Sequence, residues 1–168
     1  MSKHYERPEN LTGLVIVAST RAARGVYPDA SGPIAVQWLR EQGFDTPDAV
    51  VIADADVPAY FAQLVESEEP LPTVVLTSGG TGLNSDDRTV EAVRPYLDKE
   101  IPGIMHAFWA RGVQSTPAAV LSRGVAGVIG TSFVMTLPGS TGGVKDGCAV
   151  LEPLLDHICR QLEDYHDH

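Results

Sequence analysis

Short apolar runs alternate along the first half of the chain with stretches in which apolar residues recur every three or four positions. The runs cover residues 14–18, 49–52 and 74–77, and they are rich in valine and isoleucine. Such runs are typical of strands buried on both faces of a parallel sheet. The stretches between them, 31–43 and 57–65, have the spacing of amphipathic helices. The pattern therefore predicts a β-α-β-α-β start.

The second half of the chain is predicted to continue with further helices and a strand pair. A helix is expected from Thr89, shortened by Pro95, followed by a turn at 101–103 and a helix at 104–109. The region 115–123 is ambiguous, although Thr116 and Pro117 can begin a helix there. A hairpin or two short strands are expected at 127–130 and 132–137, and a final helical stripe runs from Val144 to Leu162 with an interruption at Pro153. Strands that alternate with helices in this way predict an α/β fold with a mostly parallel sheet.

Two of these helices carry capping signals at their starts. Ser31 is expected to be the N-cap of the first helix, with Pro33 early in its first turn. Asp56 is expected to cap the helix that follows the second strand. This assignment leaves Asp54, at the end of the same strand, as the candidate site residue.

Composition and charge narrow the class of protein. With 168 residues, 43% of them hydrophobic, the chain is expected to form a single globular domain over 1–168, with loose tails at 1–11 and 165–168. A formal net charge of -10 argues against a general nucleic-acid binder, which needs a basic face. No apolar run is long enough to span a bilayer, and the N-terminus lacks a signal-peptide core, so a cytoplasmic protein is expected. Cys148 and Cys159 are interpreted as buried thiols.

A glycine-rich turn follows the third predicted strand. It consists of Gly79, Gly80, Thr81 and Gly82, and a helix start lies a few residues beyond it. Backbone N–H groups of such a turn and of the following helix favour a phosphate group. The turn is neither a GxGxxG fingerprint nor a P-loop with its lysine, so a plain tight turn is an equally good interpretation of these four residues alone.

Acidic residues and a second glycine-rich turn follow other predicted strands. Asp87 and its neighbour Asp86 lie just before the helix start, Asp54 follows the second strand, and the turn at 138–140 follows the last one. Because parallel strands end at one edge of a sheet, these groups are expected to face one crevice. Mg²⁺ needs only one or two carboxylates when phosphate oxygens and water complete its shell. The alternative is that both adjacent acids are solvated residues near a helix dipole. The five histidines have no spacing typical of a zinc site.

Three segments together resemble a known family. TSGGTGLNSDDRTVEAVRPYLDKEIPGI, TPAAVLSRGVAGVIG and LPGSTGGVKDG are similar in order and spacing to molybdenum-cofactor biosynthesis proteins of the MogA/MoaB kind, which are related to the G domain of gephyrin. The resemblance covers nearly the whole chain. It implies a three-layer αβα fold, a homotrimer, and transfer of AMP from Mg-ATP to molybdopterin with release of pyrophosphate.

The resemblance also implies roles for individual residues. Asp87 and Asp54 match the acids needed for activity, with Asp87 expected to contact the metal. The expected ligand-binding positions are Gly79, Gly80, Thr81, Gly82, Thr89, Glu91, Pro138, Gly139 and Ser140. The chain departs from the family's frequent prolines at Ala53, Val90 and Thr141, where altered rigidity rather than lost chemistry is expected. The alternative to an adenylyltransferase is a MoaB-like protein that binds pterin or nucleotide without catalysis. A third hypothesis is a scaffold role through a trimer interface.

Overall fold

The computed structural model describes residues 7–163, and these form a sheet with helices on both faces. The strands are β1 (Gly13–Ala18), β2 (Val50–Ile52), β3 (Val74–Ser78), β4 (Lys99–Glu100), β5 (Ala126–Ile129) and β6 (Ser132–Leu137). The helices are α1 (Thr20–Ala23), α2 (Ser31–Glu41), α3 (Val57–Glu66), α4 (Thr89–Val93), α5 (Pro102–Gly112), α6 (Thr141–Leu151) and α7 (Leu155–Leu162). Short 3₁₀ turns cover Asp54–Asp56, Arg94–Tyr96 and Pro117–Leu121.

The six strands are arranged in the order β2-β1-β3-β6-β5-β4. β1 pairs in parallel with β2 and β3, and β3 pairs in parallel with β6. β5 is antiparallel to both β6 and β4. The predicted mostly parallel sheet is therefore confirmed, and so is the predicted hairpin, which β5 and β6 form.

Alternation along the strands divides the core into two layers. Val15 and Val17 of β1 face a cluster built from α2, α5, α6 and α7. Leu14 and Ile16, one position away, face a second cluster built from α3 and α4. Successive side chains of a strand point to opposite faces, so an unbroken apolar run is needed where both faces carry helices. The three-layer αβα expectation is confirmed.

The prolines break the helices where the sequence predicts. Pro95 lies in the 3₁₀ turn that ends α4 after five residues. Pro153 lies between α6 and α7, so the final apolar stripe is two helices rather than one kinked helix. In both cases the ring removes a helix hydrogen bond and crowds the preceding turn.

Two local expectations are wrong, and a third is confirmed only in its position. Ile101-Pro102-Gly103 is not a separate turn, because α5 begins at Pro102, a position that proline's fixed φ suits. The N-cap of α2 is Ala30 rather than Ser31, and the Asp29 carboxylate accepts from the backbone N–H groups of Ser31 (3.1 Å) and Gly32 (3.0 Å). Asp56 occupies the N-cap position of α3, but its side chain makes no capping hydrogen bond.

The expected tails lie mostly outside the described residues, which exclude 1–6 and 164–168. Within the described part, Leu11 is buried, and its carbonyl accepts a hydrogen bond from the Asp45 N–H (2.9 Å). The Arg7 guanidinium lies over the Phe44 ring, 4.7 Å from its centre. Across 7–163, none of the helices has both the length and the apolar character that crossing a bilayer requires.

Candidate functional site

The carboxyl ends of four parallel strands lie along one edge of the sheet. In spatial order, Asp54 follows β2, Ser19 follows β1, Gly79 follows β3 and Pro138 follows β6. Both predicted glycine-rich turns and Asp54 follow strands that end here, and the loop with Asp87 continues from the turn at Gly79. Crevices beyond the carboxyl ends of open α/β sheets are the usual ligand sites of such folds.

The first turn needs glycine at two positions. Gly79 has φ +94° and Gly80 has φ +72°, both in the left-handed region that favours glycine. A Cβ on Gly79 would collide with the Ala18 carbonyl, and one on Gly80 would collide with the Thr89 hydroxyl. The turn is thus pressed between the end of β1 and the start of α4, with both glycines buried.

The two glycine-rich turns are in contact. The Gly79 N–H donates to the Leu137 carbonyl (2.9 Å), and the Ser78 hydroxyl donates to the Pro138 carbonyl (3.0 Å). A Cβ on Gly139 would lie 3.5 Å from the Gly79 Cα, so the chains pass close together. The parallel pairing of β3 with β6, in which Ser78 is opposite Leu137, brings these turns together.

Asp87 has a defined position in the loop after the first turn. Its Oδ2 accepts from the Asn84 backbone N–H (2.9 Å), and a Cβ added to Gly82 would lie 2.6 Å from the same oxygen. Asp87 is half-buried and lines a crevice of about 550 Å³. Asp86 is exposed, and no hydrogen bond to its side chain is found within 7–163. The structure therefore distinguishes the two adjacent acids.

Asp54 is also half-buried and is hydrogen-bonded to the first residue of α1, the short helix after β1. Its Oδ2 accepts from both the backbone N–H (3.1 Å) and the hydroxyl (2.8 Å) of Thr20. The Asp54 N–H donates in turn to the Thr20 hydroxyl (3.1 Å). Asp54 thus joins the ends of two neighbouring strands at this edge of the sheet.

Three of the expected ligand-binding side chains belong to the first turn (Thr81) or to α4, which follows it (Thr89 and Glu91). Thr89 is 1% exposed, its N–H donates to the Gly80 carbonyl (3.1 Å), and its buried hydroxyl has no hydrogen-bond partner within 7–163. The Thr81 hydroxyl is 3.0 Å from that of Ser122. Glu91 forms an ion pair with Arg123, and this hydrogen bond lowers the pKa of Glu91 below its ordinary value. Direct ligand contact by these three residues stays a prediction.

The second turn is built around a helix start. Ser140 is the N-cap of α6, and its hydroxyl accepts from the Gly143 N–H (3.0 Å). Pro138 and Ser140 line a pocket of about 390 Å³, together with Phe108 and Lys145. The first N–H groups of an 11-residue helix have no intrahelical partner and favour an anion. The turn and Lys145 are suited to a phosphate group.

The side-chain oxygens available as metal ligands at this edge suit Mg²⁺ better than a metal that is held by protein ligands alone. Within 7–163 there is no group of three or more His, Cys, Asp or Glu side chains placed to hold a metal ion. Asp87 Oδ2 takes the hydrogen bond of Asn84, and no hydrogen bond to its Oδ1 is found among the described residues. One available carboxylate oxygen fits an ion that keeps most of its shell as water and phosphate oxygen.

Ser122 and Arg123 belong to the site but were not singled out as site residues by the sequence. Besides the ion pair with Glu91, Arg123 Nε donates to the Gly82 carbonyl (2.8 Å) and Nη2 to the Asp87 carbonyl (3.2 Å). The segment TPAAVLSRGVAGVIG contains both residues, so the signal was present. Contacts across 41 positions of chain, however, have no local pattern from which to infer them.

The chain is similar in sequence to known proteins. The profile of a family described as "Probable molybdopterin binding domain" matches residues 14–157. A molybdenum cofactor biosynthesis bifunctional protein of Chlorobaculum tepidum is 35% identical over 89% of this chain, but the match spans only 47% of that protein. The molybdenum cofactor biosynthesis protein B of Staphylococcus aureus is 32% identical over 96% of this chain and 99% of its own length. The chain thus has about half the length of one relative and nearly the full length of another.

A solved structure shows the same architecture. The molybdopterin biosynthesis Mog protein from Mycobacterium ulcerans superposes with a TM-score of 0.82 at 41% identity, covering 90% of this chain and 99% of that one. At this identity the agreement extends from fold to sequence.

Proposed function

Because the chain belongs to the family described as a probable molybdopterin binding domain, we propose that it acts in molybdenum-cofactor biosynthesis as a molybdopterin adenylyltransferase. One observation carries the proposal. The turn at Gly79 lies against the turn at Gly139, and Asp87 lines a crevice beside the first of them. Two glycine-rich turns in contact, the first of them beside a carboxylate, suit a reaction in which two phosphorylated substrates exchange a group.

The reaction needs no covalent intermediate with the protein. A terminal phosphate oxygen of molybdopterin attacks the α-phosphorus of ATP and forms a new phosphoanhydride bond. The bond from the α-phosphorus to the oxygen of the β-phosphate breaks, and pyrophosphate leaves. Catalysis of this kind comes mainly from alignment and from stabilisation of charge on phosphate oxygens.

The chain's own groups divide this work. Backbone N–H groups of the first turn and of the α6 start bind phosphate oxygens. Asp54 fixes the start of α1 through Thr20 and so holds together the ends of β1 and β2 at this edge of the sheet. Asp87 presents Oδ1 to the bound nucleotide and its cation. Asp87 would be the protein ligand of a bound Mg²⁺, which would neutralise charge that develops on phosphate oxygens.

The decisive experiment compares two adjacent aspartates. Protein, Mg-ATP and molybdopterin are incubated, and adenylylated molybdopterin and pyrophosphate are measured. Asp87→Ala is expected to fold and bind pterin but nearly to abolish product formation. Asp86→Ala is the matched control, because it removes the same charge from an exposed neighbour, and it should retain wild-type turnover. Equal turnover in Asp87→Ala and wild type would refute the assignment.

The same assay separates catalysis from binding alone. If the wild-type protein binds molybdopterin but forms no product with Mg-ATP, it is a binding protein of the pathway, as in the MoaB-like alternative. Homotrimer formation is part of the proposal as well. Sedimentation equilibrium tests it, and a monomer at assay concentration would contradict it.

A further inference from the structure

The loop that carries Asp87 is exposed along most of its length. Residues 83–86 are all exposed, and Leu83 reaches 72%. A loop with so little buried apolar surface gains little stability from packing of its own. The position of the Asp87 carboxylate therefore depends on a few polar contacts to the rest of the protein.

Arg123 makes several of these contacts. Its backbone N–H donates to the Thr81 carbonyl (2.9 Å) and its Nε to the Gly82 carbonyl (2.8 Å), both before Asp87. Its Nη2 donates to the Asp87 carbonyl (3.2 Å), and the guanidinium pairs with Glu91 in α4. One side chain thus holds the start of the loop, the aspartate's own peptide and the helix beyond.

The segment that supplies Arg123 is itself fixed. The Ser122 hydroxyl is 3.0 Å from the Thr81 hydroxyl, and the Ser122 carbonyl accepts from Trp109 Nε1 (2.8 Å). Two residues beyond Arg123, the Val125 N–H donates to the Thr136 hydroxyl (2.8 Å). The guanidinium therefore links the exposed loop to a segment that is fixed to α5 and β6.

We propose that Arg123 is the positioning residue of the site, which sets the place of the Asp87 carboxylate by clamping residues 81–91. The expected effect on kcat rests on the proposed function. The contacts between Arg123 and residues 81–91 do not depend on that function. Arg123 engages its contacts through Nε, Nη1 and Nη2 at once. A lysine presents a single ammonium and cannot reproduce this planar fork.

The test measures kinetics and loop mobility in Arg123→Gln and Arg123→Lys. A displacement of a catalytic group by 1 Å is enough to lower a rate about 100-fold, so kcat is expected to fall by about that factor in Arg123→Gln. The KM values should change much less, because alignment rather than ground-state binding is lost. Arg123→Lys should recover only part of kcat. Amide hydrogen exchange of residues 82–88 should accelerate in both variants while exchange in β1 stays unchanged.

Arg94→Gln is the matched control. Arg94 also forms an ion pair, with Glu100 (3.0 Å), but it makes no hydrogen bond to the loop among the described contacts. This variant should keep wild-type kcat and wild-type exchange at 82–88. Wild-type kcat and wild-type exchange in Arg123→Gln would overturn the proposal. If Arg123→Gln does not fold, Arg123→Lys becomes the test. Wild-type kcat and wild-type exchange at 82–88 in Arg123→Lys would then overturn the proposal.

The two readouts separate this inference from the proposed function. Absence of adenylylated product with the wild-type protein would refute the function, while exchange at 82–88 would still decide whether Arg123 clamps the loop. Accelerated exchange together with unchanged kcat would support the clamp but overturn its role in positioning Asp87.

Discussion

Three hydrogen bonds join Asp54 to Thr20. The Asp54 carboxylate accepts from the Thr20 N–H (3.1 Å) and hydroxyl (2.8 Å), and the Asp54 N–H donates to that hydroxyl (3.1 Å). The two residues lie just beyond the ends of β2 and β1, which are neighbours in the sheet. Asp54, which the sequence suggests as a site acid, is thus also the connection that fixes the start of α1.

Replacement of Thr20 by valine tests this connection. Thr20→Val keeps the side-chain shape but removes the hydroxyl, so Asp54 loses one donor and its N–H loses its acceptor. The free energy of unfolding should fall by about 1–3 kcal/mol, because hydrogen bonds to charged groups are among the stronger ones. Urea denaturation measures it, and adenylylation should decline as well. Thr20→Ser retains the hydroxyl and should match wild type, whereas equal stability of valine and serine variants would show that the hydroxyl is dispensable.

Substitution of Gly80 by alanine should damage the first turn. The positive φ of +72° and the collision with the Thr89 hydroxyl both oppose a Cβ there. A strained backbone conformation of this kind costs about 1–3 kcal/mol, so the melting temperature and product formation should both fall. Gly103→Ala is the control, because a Cβ at that helical position meets nothing within 4 Å. It should be neutral or slightly stabilising, and a similar loss in both variants would contradict the steric argument.

The two tryptophans are expected to respond differently to phenylalanine. Trp109 Nε1 donates to the Ser122 carbonyl (2.8 Å), whereas the buried Trp38 Nε1 has no partner within 7–163. Both changes remove similar apolar volume, but only Trp109→Phe breaks a hydrogen bond. Trp109→Phe should therefore be less stable than Trp38→Phe by about 1 kcal/mol in urea denaturation. The reverse order would show that apolar packing, rather than the hydrogen bond, decides the effect at Trp109.

The two buried thiols predict how stability changes at alkaline pH. Burial raises the pKa of Cys148 to about 12 and that of Cys159 to about 11, from an ordinary value of 9.0. Above pH 9 the unfolded chain loses these protons while the folded protein keeps them. The folded state then binds more protons, so stability decreases as pH rises from 9 towards 11.

Denaturation at several pH values measures this slope. Cys148→Ala should show a shallower decline than wild type, whatever its absolute stability, because one of the two groups is gone. In the native protein at pH 8 both thiols should react slowly with a thiol reagent and rapidly after unfolding, since the thiolate is the reactive form. Fast labelling of the native protein would contradict the burial.

Much of the fold follows from local pattern. The apolar runs place β1, β2, β3 and β6 to within one or two residues, because a strand covered on both faces needs an unbroken apolar sequence. Prolines mark the breaks after α4 and α6 for an equally local reason. β4 was not predicted, since Lys99 and Glu100 are exposed at the sheet edge and have no apolar signature.

Some features of the site likewise follow from the sequence, and others only from the tertiary structure. The sequence alone determined that two glycine-rich turns and two acids follow strands, and parallel strands must end at one edge. Tertiary structure decided that β6 lies beside β3, which brings Gly139 against Gly79. It also decided that Arg123 reaches back to Asp87, and that Asp87 is held whereas Asp86 is exposed. Short-range preferences are encoded within a few residues, but strand order and long-range hydrogen bonds arise only when the whole core packs.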